Sequence, residues 1–290
     1  MHPGEKNGII GSTVIKKEEQ AVKYKIGDVA RILGISTDLL RYYEKKGVVT
    51  PEKDEHNDYR YYDFWDINFL MDCLWFKNFG FSIEQIADMV RIPSAQELVD
   101  RFEYREDQLR STIKRCQLLL KRSEQYREEI SRIPELLYKC EISRSREAVC
   151  YVNREGTEYP ANAQLASLAR QWLEFMPFNH RYFEIDAPAL ADGGLEDCRW
   201  GFSLGLEYAQ ELGCEPTPPV MKLESQKSIH TVFKSSGKGN FAPGKLTYAV
   251  DWAAANGYKI NGPVRGVLVA SVLEGDELSG YFEAWIPVEE

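Results

Sequence analysis

The sequence predicts a multidomain protein of the α and α+β classes. It should contain an N-terminal winged helix-turn-helix, a long coiled-coil helix and a C-terminal domain in which a β-α-β-β unit occurs twice. Three observations predict this fold: two short amphipathic helices flank a glycine, a charged segment follows a heptad pattern, and alternating apolar runs recur in the C-terminal half. The expected divisions are a mobile tail at 1–22, domains at 23–92, 93–135 and 147–290, and a linker at 136–146.

A helix-turn-helix is predicted between Ile26 and Lys45. Apolar residues recur at helical spacing up to Leu33, and Gly34 can adopt the left-handed conformation that ends a helix. The Ser36 hydroxyl can cap the second helix. Spacing alone also fits an ordinary surface helix pair, but a recognition helix would present its polar side chains to bases and phosphates. The outward candidates are Ser36, Thr37, Arg41, Tyr42 and Lys45.

A wing is expected directly behind this second helix. Two β-prone runs, residues 48–51 and 59–62, are separated by polar turn-forming residues and predict a hairpin. Two further helices are expected after it, from Asp63 to Lys77 and from Ile83 to Val90. The wing candidates for contact with the DNA backbone are Arg60, Tyr61 and, at an otherwise acidic tip, His56 and Asn57.

Four motifs, in this order, resemble the DNA-binding domain of the MerR family of transcriptional regulators. They are Tyr-Lys-Ile-Gly-Asp-Val-Ala from Tyr24, Leu-Arg-Tyr-Tyr from Leu40, Tyr-Arg-Tyr-Tyr from Tyr59 and Gly-Phe-Ser-Ile from Gly80. The resemblance implies a homodimer on double-stranded promoter DNA. Its ligand-bound form would distort the DNA so that RNA polymerase can use the promoter, which is control by deformation. We expect a transcriptional activator without enzymatic activity, cofactor or bound metal.

A long helix should follow, because residues 94–133 are highly charged and contain neither glycine nor proline. Apolar residues fill eight of eleven positions in alternating steps of four and three, so the exposed seam calls for a partner helix. The resemblance implies that the partner is the same helix of a second copy, packed antiparallel. The alternative is a helix docked on its own domain. The seam positions are Leu98, Phe102, Arg105, Leu109, Thr112, Cys116, Leu119, Ser123, Tyr126, Ile130 and Ile133.

The C-terminal half is predicted to repeat one structural unit. Two adjacent β-α-β-β units would leave a groove between them, and ligand sites favour such clefts. The arrangement resembles the GyrI-like effector domain of multidrug-responsive regulators, and the run from Tyr281 to Val288 most carries the likeness. The expected strands are 147–154, 180–186, 200–206, 222–234, 264–270 and 281–287, and the expected helices are 161–175 and 243–256.

The last strand contains the candidate ligand-binding carboxylate. Strand alternation places Tyr281, Glu283 and Trp285 on one face, so that a carboxylate is flanked by two aromatic rings. A lipophilic cation would satisfy both the rings and the charge. The resemblance implies this role for Glu283 and places Trp200 in the same pocket. Further candidates from a neighbouring strand are Tyr182 and, as a possible second acid, Glu184.

Two other interpretations of Glu283 remain open. It could be a structural carboxylate paired with a lysine or arginine, or it could face water. Some GyrI-like domains hydrolyse small reactive compounds, so Glu283 could also act as a general base on water.

Composition limits the remaining possibilities. The net charge is −9, and residues 1–92 carry 13 Lys+Arg against 15 Asp+Glu, so bulk charge does not attract this half to DNA. No apolar run approaches the roughly 18 to 20 residues that span a bilayer. The six cysteines form no Cys-x-x-Cys pair. Cys116, Cys140 and Cys150 are candidate ligands if the protein is a metal- or redox-sensing regulator, but structural, reduced thiols in a bacterial cytoplasm are favoured.

Overall fold

The computed structural model describes residues 22–54, 59–92, 94–159, 163–237 and 241–289. The chain forms two compact units, the first ending at Ser111 and the second beginning at Thr112, and one long helix contributes residues to both. Nearly all of the expected tail, together with His56 and Asn57, lies outside the described residues. Among the described helices, none combines the length and the apolar character needed to cross a bilayer.

The first unit has the predicted helix-turn-helix. Gly34 ends the first helix with a φ of 65°, and the Ser36 hydroxyl accepts a hydrogen bond from the Leu39 amide at 3.1 Å. Both residues therefore act as the sequence predicted. In chain order the elements are β1 (Tyr24–Lys25), α1 (Ile26–Leu33), α2 (Thr37–Lys45), β2 (Glu52–Lys53), β3 (Arg60–Tyr62), α3 (Phe64–Asn78) and α4 (Ile83–Met89).

The wing differs from the prediction in its first strand. Residues 48–51 were expected to form this strand, but the strand is β2, which begins after them. Val48 and Val49 are buried in the core of the unit instead. Strand β1, which was not predicted, pairs with β3, so the sheet has the order β1-β3-β2. The two valines belong to the hydrophobic core of the unit, and the chain becomes extended only after Pro51.

The long helix α5 (Ala95–Ser131) is confirmed, and the short helix α6 (Ile133–Leu136) follows it. The continuous seam is wrong in part, because the chain itself covers several of its positions. Leu98 and Phe102 pack against the core of the first unit, and Leu119 packs against a cluster of the second. Among the apolar side chains that α5 leaves exposed, four follow a spacing of four, three and four, and we call them the α5 stripe: Leu109, Ile113, Cys116 and Leu120.

The second unit is built on one antiparallel sheet of eight strands, in the order β4-β9-β11-β10-β6-β7-β5-β8. Turns of 3-10 helix occur at Leu195–Asp197 and Pro243–Leu246. The elements are β4 (Cys140–Arg144), β5 (Ala148–Glu155), α7 (Ala163–Glu174), β6 (Asn179–Ile185), α8 (Ala189–Asp192), β7 (Cys198–Gly205), α9 (Leu206–Leu212), β8 (Met221–Leu223), β9 (Lys227–Ser236), α10 (Thr247–Ala255), β10 (Val264–Glu274) and β11 (Glu277–Pro287).

The element order contains the predicted repeat, β5-α7-β6-β7 followed by β9-α10-β10-β11, with β10 pairing to β6 where the two halves meet. Two expectations are wrong. Residues 136–146 are not a plain linker, because β4 lies within them and pairs with β9. Residues 222–234 are not one strand, because β8 pairs with β5 while β9 pairs with β11.

The two faces of this sheet have different chemistry. One face is an aromatic core in which Phe183, Phe233 and Phe282 pack with helix α10. On the opposite face, Glu283 of β11 and Tyr182 of β6 both pair in register with Val267 of β10, so their side chains lie in one row. The alternation predicted for the last strand is therefore confirmed.

Candidate functional site

Helix α2 places its polar side chains outward. Leu40 and Tyr43 are fully buried, whereas Arg41, Tyr42 and Lys45 are exposed. Thr37 is half-buried at the start of the helix, and the hydroxyl of Ser36 is used by the helix cap. The structure therefore brings the predicted outward residues together on one exposed helix.

Acidic side chains already bind most of the cations on this surface. Arg41 pairs with Asp38 at 3.0 Å, and Arg60 of the wing pairs with Glu44 at 2.6 Å. The Glu44 carboxylate also accepts a hydrogen bond from Tyr62, while Tyr61 beside it is half-buried. Arg60 is thus paired within the chain, and its contact with a DNA phosphate stays a prediction.

Glu84 makes a similar connection between α4 and α2. Its carboxylate accepts hydrogen bonds from the Tyr42 hydroxyl at 2.9 Å and from Lys46 at 2.8 Å. The Lys46 hydrogen bond is the largest of the effects that lower the pKa of Glu84 to about 2. Exposed ion pairs of this kind contribute little to stability because water screens them, so a phosphate could replace the carboxylates at low cost.

In the second unit, Glu283 is buried and paired with a histidine. Its Oε1 atom lies 2.6 Å from Nε2 of His230, and Nδ1 of His230 lies 3.0 Å from Oε1 of Glu141. The imidazole also stacks on Trp285, with ring centroids 5.3 Å apart and planes at 4°. The closest partner of Glu283 is therefore a histidine, whereas a structural pair was expected to use a lysine or an arginine.

The electrostatics of this cluster favour a charged histidine. Burial lowers the pKa of His230, but its hydrogen bonds and charge interactions with Glu283 and Glu141 outweigh burial and raise that pKa above its ordinary value. The same histidine, through its hydrogen bond, lowers the pKa of Glu141. The imidazole of His230 is thus a flat cation that lies between carboxylates and against an indole. The sequence predicted this environment for an external ligand, but here the chain itself supplies the cation.

A cavity of about 740 Å³ opens on the same face of the sheet. Part of its wall comes from the C-terminal portion of α5, and both aromatic and charged side chains line it. The residues that define its chemistry are Phe178, Tyr182, Tyr208 and Trp285 on the aromatic side, and Arg122, Glu129, Arg146, His180 and Arg265 on the charged side.

Two arginines and a histidine converge on Glu129 in the cavity wall. Its carboxylate contacts Arg122 at 3.2 Å, Arg146 at 2.8 Å and His180 at 3.2 Å. Burial raises the pKa of Glu129, but these partners outweigh burial and lower that pKa to about 2. Arg146 extends further, with Nη2 at 3.9 Å from Oε1 of Glu283, so it lies between the two carboxylates.

The structure separates the predicted ligand residues. Tyr182 and Trp285 line the cavity, whereas Glu283 lies behind Arg146 and His230. The hydroxyl of Tyr281 donates a hydrogen bond to Glu274, outside the lining of this cavity.

Trp200 is in the wrong place for the predicted pocket. It pairs in register with Phe183, and its ring centroid lies 4.5 Å from that of Phe241. Trp200 is therefore in the aromatic core, on the opposite face of the sheet from Glu283. Every second side chain of a strand points to the same face of the sheet, and residue 200 of β7 falls on the face that points into the core.

Glu184 is not available as a second acid. Tyr182 donates to it at 2.8 Å, and it pairs with Arg199 at 2.6 Å and with Arg265 at 2.9 Å. Burial raises its pKa, but the two arginines outweigh burial and the pKa is lowered. Glu184 is therefore a saturated structural carboxylate.

Sequence reasoning missed Arg146, His230, Glu129, Arg122 and His180. Arg146 fell in a segment expected to be a linker, and Arg122 and Glu129 fell among the many charges of a long helix. A usable signal was the seven-residue separation of Arg122 and Glu129, which places both on one helix face.

The cysteines do not form a recognisable metal site. Cys150 is buried, and burial raises the pKa of its thiol to about 11, while Cys116 is exposed on α5. Within the described ranges, no three His, Cys, Asp or Glu side chains cluster as they would around a metal ion.

We predict a pH-dependent contribution of His230 to stability. Because its folded-state pKa is raised, the stabilisation should be complete below the unfolded value of about 6.5 and should be lost as pH rises through the folded-state pKa. In His230→Asn, loss of charge-assisted hydrogen bonds should cost about 1.5–3 kcal/mol near pH 6 and progressively less as the pH rises. Urea unfolding of both proteins across this range tests it, and a difference independent of pH would contradict it.

Comparisons with known proteins agree with the geometry of the first unit. Residues 24–91 match the MerR HTH family regulatory protein model. An HTH-type transcriptional regulator of Synechocystis, slr0701, is 31% identical over 113 residues, which are 39% of this chain and 81% of that protein.

Two further proteins cover different shares of the chain. The HTH-type transcriptional activator mta of Bacillus subtilis is 29% identical over 106 residues, which are 33% of this chain and 41% of mta, so the match spans less than half of that protein. The EcmrR-DNA complex aligns over 92% of this chain and 100% of that chain, with 15% identity and a TM-score of 0.37.

The helix-turn-helix, the wing and the two helices behind them all lie within the matched residues. The Synechocystis relative is matched over most of its length. The chain therefore belongs to the MerR family of helix-turn-helix DNA-binding transcriptional regulators.

Proposed function

We propose that this regulator is a dimeric transcriptional activator whose second unit, a GyrI-like effector-binding domain, senses lipophilic cations. One observation carries the link between ligand and DNA: helix α5 forms part of the cavity wall and also packs, through Leu98 and Phe102, in the core of the DNA-binding unit. Ligand binding would change the geometry of α5 and, through it, the distortion of promoter DNA that RNA polymerase uses.

The α5 stripe supports the dimer. Leu109, Ile113 and Leu120 expose 39%, 56% and 61% of their surfaces, and Cys116 lies between them on the same face. Their spacing is that of a coiled-coil seam, which buries apolar groups against a partner helix. A second copy packed antiparallel would cover the stripe.

The cavity supports a ligand of modest size with aromatic character. Its volume of about 740 Å³ lies within the range of small-molecule sites, and Trp285, Tyr182 and Phe178 provide apolar and ring surfaces. Glu283 supplies the counter-charge once Arg146, the more exposed of its two partners, moves aside. Hydrolysis by Glu283 is less well supported, because this carboxylate is held by His230 and does not line the cavity.

Replacement of Arg41 by alanine should weaken binding to promoter DNA by about 1–3 kcal/mol, because an exposed cation of the recognition helix is lost. Folding should be unaffected, since the pair with Asp38 is exposed. Arg31 is the matched control, because it forms the same kind of exposed pair with Asp28 on α1. Gel retardation measures both variants, and equal losses would argue against a specific role for Arg41.

Replacement of Leu120 by glutamate should convert the dimer to a monomer, because a charge placed in a coiled-coil seam costs several kcal/mol. Tyr104→Glu is the control, since Tyr104 is exposed on the same helix but lies off the stripe. Sedimentation velocity should give monomer for the first variant and dimer for the second. A Leu120→Glu protein that remains dimeric would place the interface elsewhere.

Replacement of Glu283 by glutamine tests the charge of the ligand. Binding of tetraphenylphosphonium should weaken by about 1.5 kcal/mol, roughly tenfold, while triphenylphosphine oxide, which is neutral and of similar size, should bind as before. Titration calorimetry measures both compounds, and equal losses would remove the counter-charge role. The compounds should also be recovered unchanged; turnover that Glu283→Gln abolishes would favour a hydrolase.

A further inference from the structure

The recognition groups of the proposed ligand site are already in contact with two cations of the chain. His230 stacks on Trp285 and lies 2.6 Å from Glu283. The guanidinium of Arg146 lies 6.0 Å from the centroid of Trp285, and its Nη2 atom lies 3.9 Å from Glu283. An indole face and a carboxylate are thus both satisfied without any ligand.

The two cations differ in their freedom to leave. His230 is 3% exposed and is held between Glu141 and Glu283, so removing it would leave two carboxylates without their closest partner. The Arg146 side chain is 54% exposed and lines the cavity. A long side chain in contact with solvent can move away from Trp285 without leaving a buried charge of its own.

We propose that Arg146 is a tethered cation that occupies the place beside Trp285 and Glu283, and that a cationic ligand binds by displacing it. This inference rests on the proposed function, because it concerns the same site. Arg146 is then the residue that sets the affinity and charge selectivity of the cavity.

The exchange leaves each charged group with a partner. Nη1 of Arg146 is bonded to Glu129 at 2.8 Å, and this contact can persist when the other end of the guanidinium leaves Glu283. The ligand then neutralises Glu283 in place of Arg146. His230 stays and keeps the carboxylate in position.

The displaced residue also connects the site to the long helix. Glu129 belongs to α5 and Glu283 belongs to β11, so Arg146 spans from the sheet to the helix. Displacement breaks the sheet side of this bridge and leaves the helix side intact. Ligand entry would therefore release α5 from one of its electrostatic contacts with the sheet.

The proposal predicts a gain of affinity when the competitor is removed. In Arg146→Met no arginine competes for the site. If Arg146 leaves the site open about one tenth of the time in the wild type, the apparent affinity of the wild type for the cation is about tenfold weaker than that of the open site. Arg144→Met is the matched control, because Arg144 also lines the cavity but its guanidinium donates to the Ser225 carbonyl. It measures the general effect of removing one positive charge from the cavity wall.

The experiment is calorimetric titration of the full-length chain with tetraphenylphosphonium and with triphenylphosphine oxide. Arg146→Met should bind the cation about tenfold more tightly than wild type and distinctly more tightly than Arg144→Met, with little change for the neutral compound. Arg146→Gln provides a second neutral variant that can still hydrogen-bond to Glu129. Arg146→Lys, which keeps the cation, should bind close to wild type.

Other outcomes separate the two proposals. Equal gains in Arg146→Met and Arg144→Met, or weaker binding in the Arg146 variants, would overturn displacement and leave the ligand site itself standing. Absence of cation binding in wild type and in every variant, with the proteins shown to be folded, would overturn the proposed cation site and this inference with it.

Discussion

Burial of carboxylates on one face of the eight-stranded sheet is the constraint on which the second unit depends. Glu184 and Glu283 are 7% and 6% exposed, and the side chain of Glu129 above them is 7% exposed. Leaving any of them unpaired would cost several kcal/mol, so each has cations within reach. The partners positioned by this requirement are Arg122, Arg146, His180, Arg199, His230 and Arg265.

This constraint changes how ligand recognition is understood. An empty anionic pocket would bind any cation, but here each buried carboxylate is already neutralised, so the proposed cationic ligand would have to exchange with a resident partner. Exchange is easiest where the resident is partly in solvent, as Arg146 is, and hardest at Glu184, where two arginines and Tyr182 share one carboxylate. Selectivity then depends on aromatic surface as well as on charge, because charge alone gains little in an exchange.

Local patterns predicted the parts of this site that depend on local structure. The shared face of Tyr281, Glu283 and Trp285 follows from the period of a strand, and Ser36 and Gly34 follow from helix-end chemistry. The face of the sheet on which Trp200 lies depends on how its strand is aligned with the strand of Glu283, several strands away. A single sequence does not contain this alignment. The break between β8 and β9 occurs at residues 224–226, which include no glycine or proline, so the two strands read as one. Arg146 was missed because it follows β4, a short strand whose pairing with β9 is distant in sequence.

Helix geometry explains how α5 could serve both the cavity and a partner subunit. Arg122 and Glu129 are seven residues apart and face the cavity, and Ile113 and Leu120 are seven residues apart on the exposed stripe. At about 100° per residue, Leu120 and Arg122 point about 200° apart, so the two functions occupy opposite faces of one helix. A rigid helix cannot move its cavity face without moving the other. Release of α5 from one of its contacts with the sheet would therefore also move the face that we propose to bind the partner subunit, without a flexible element between them.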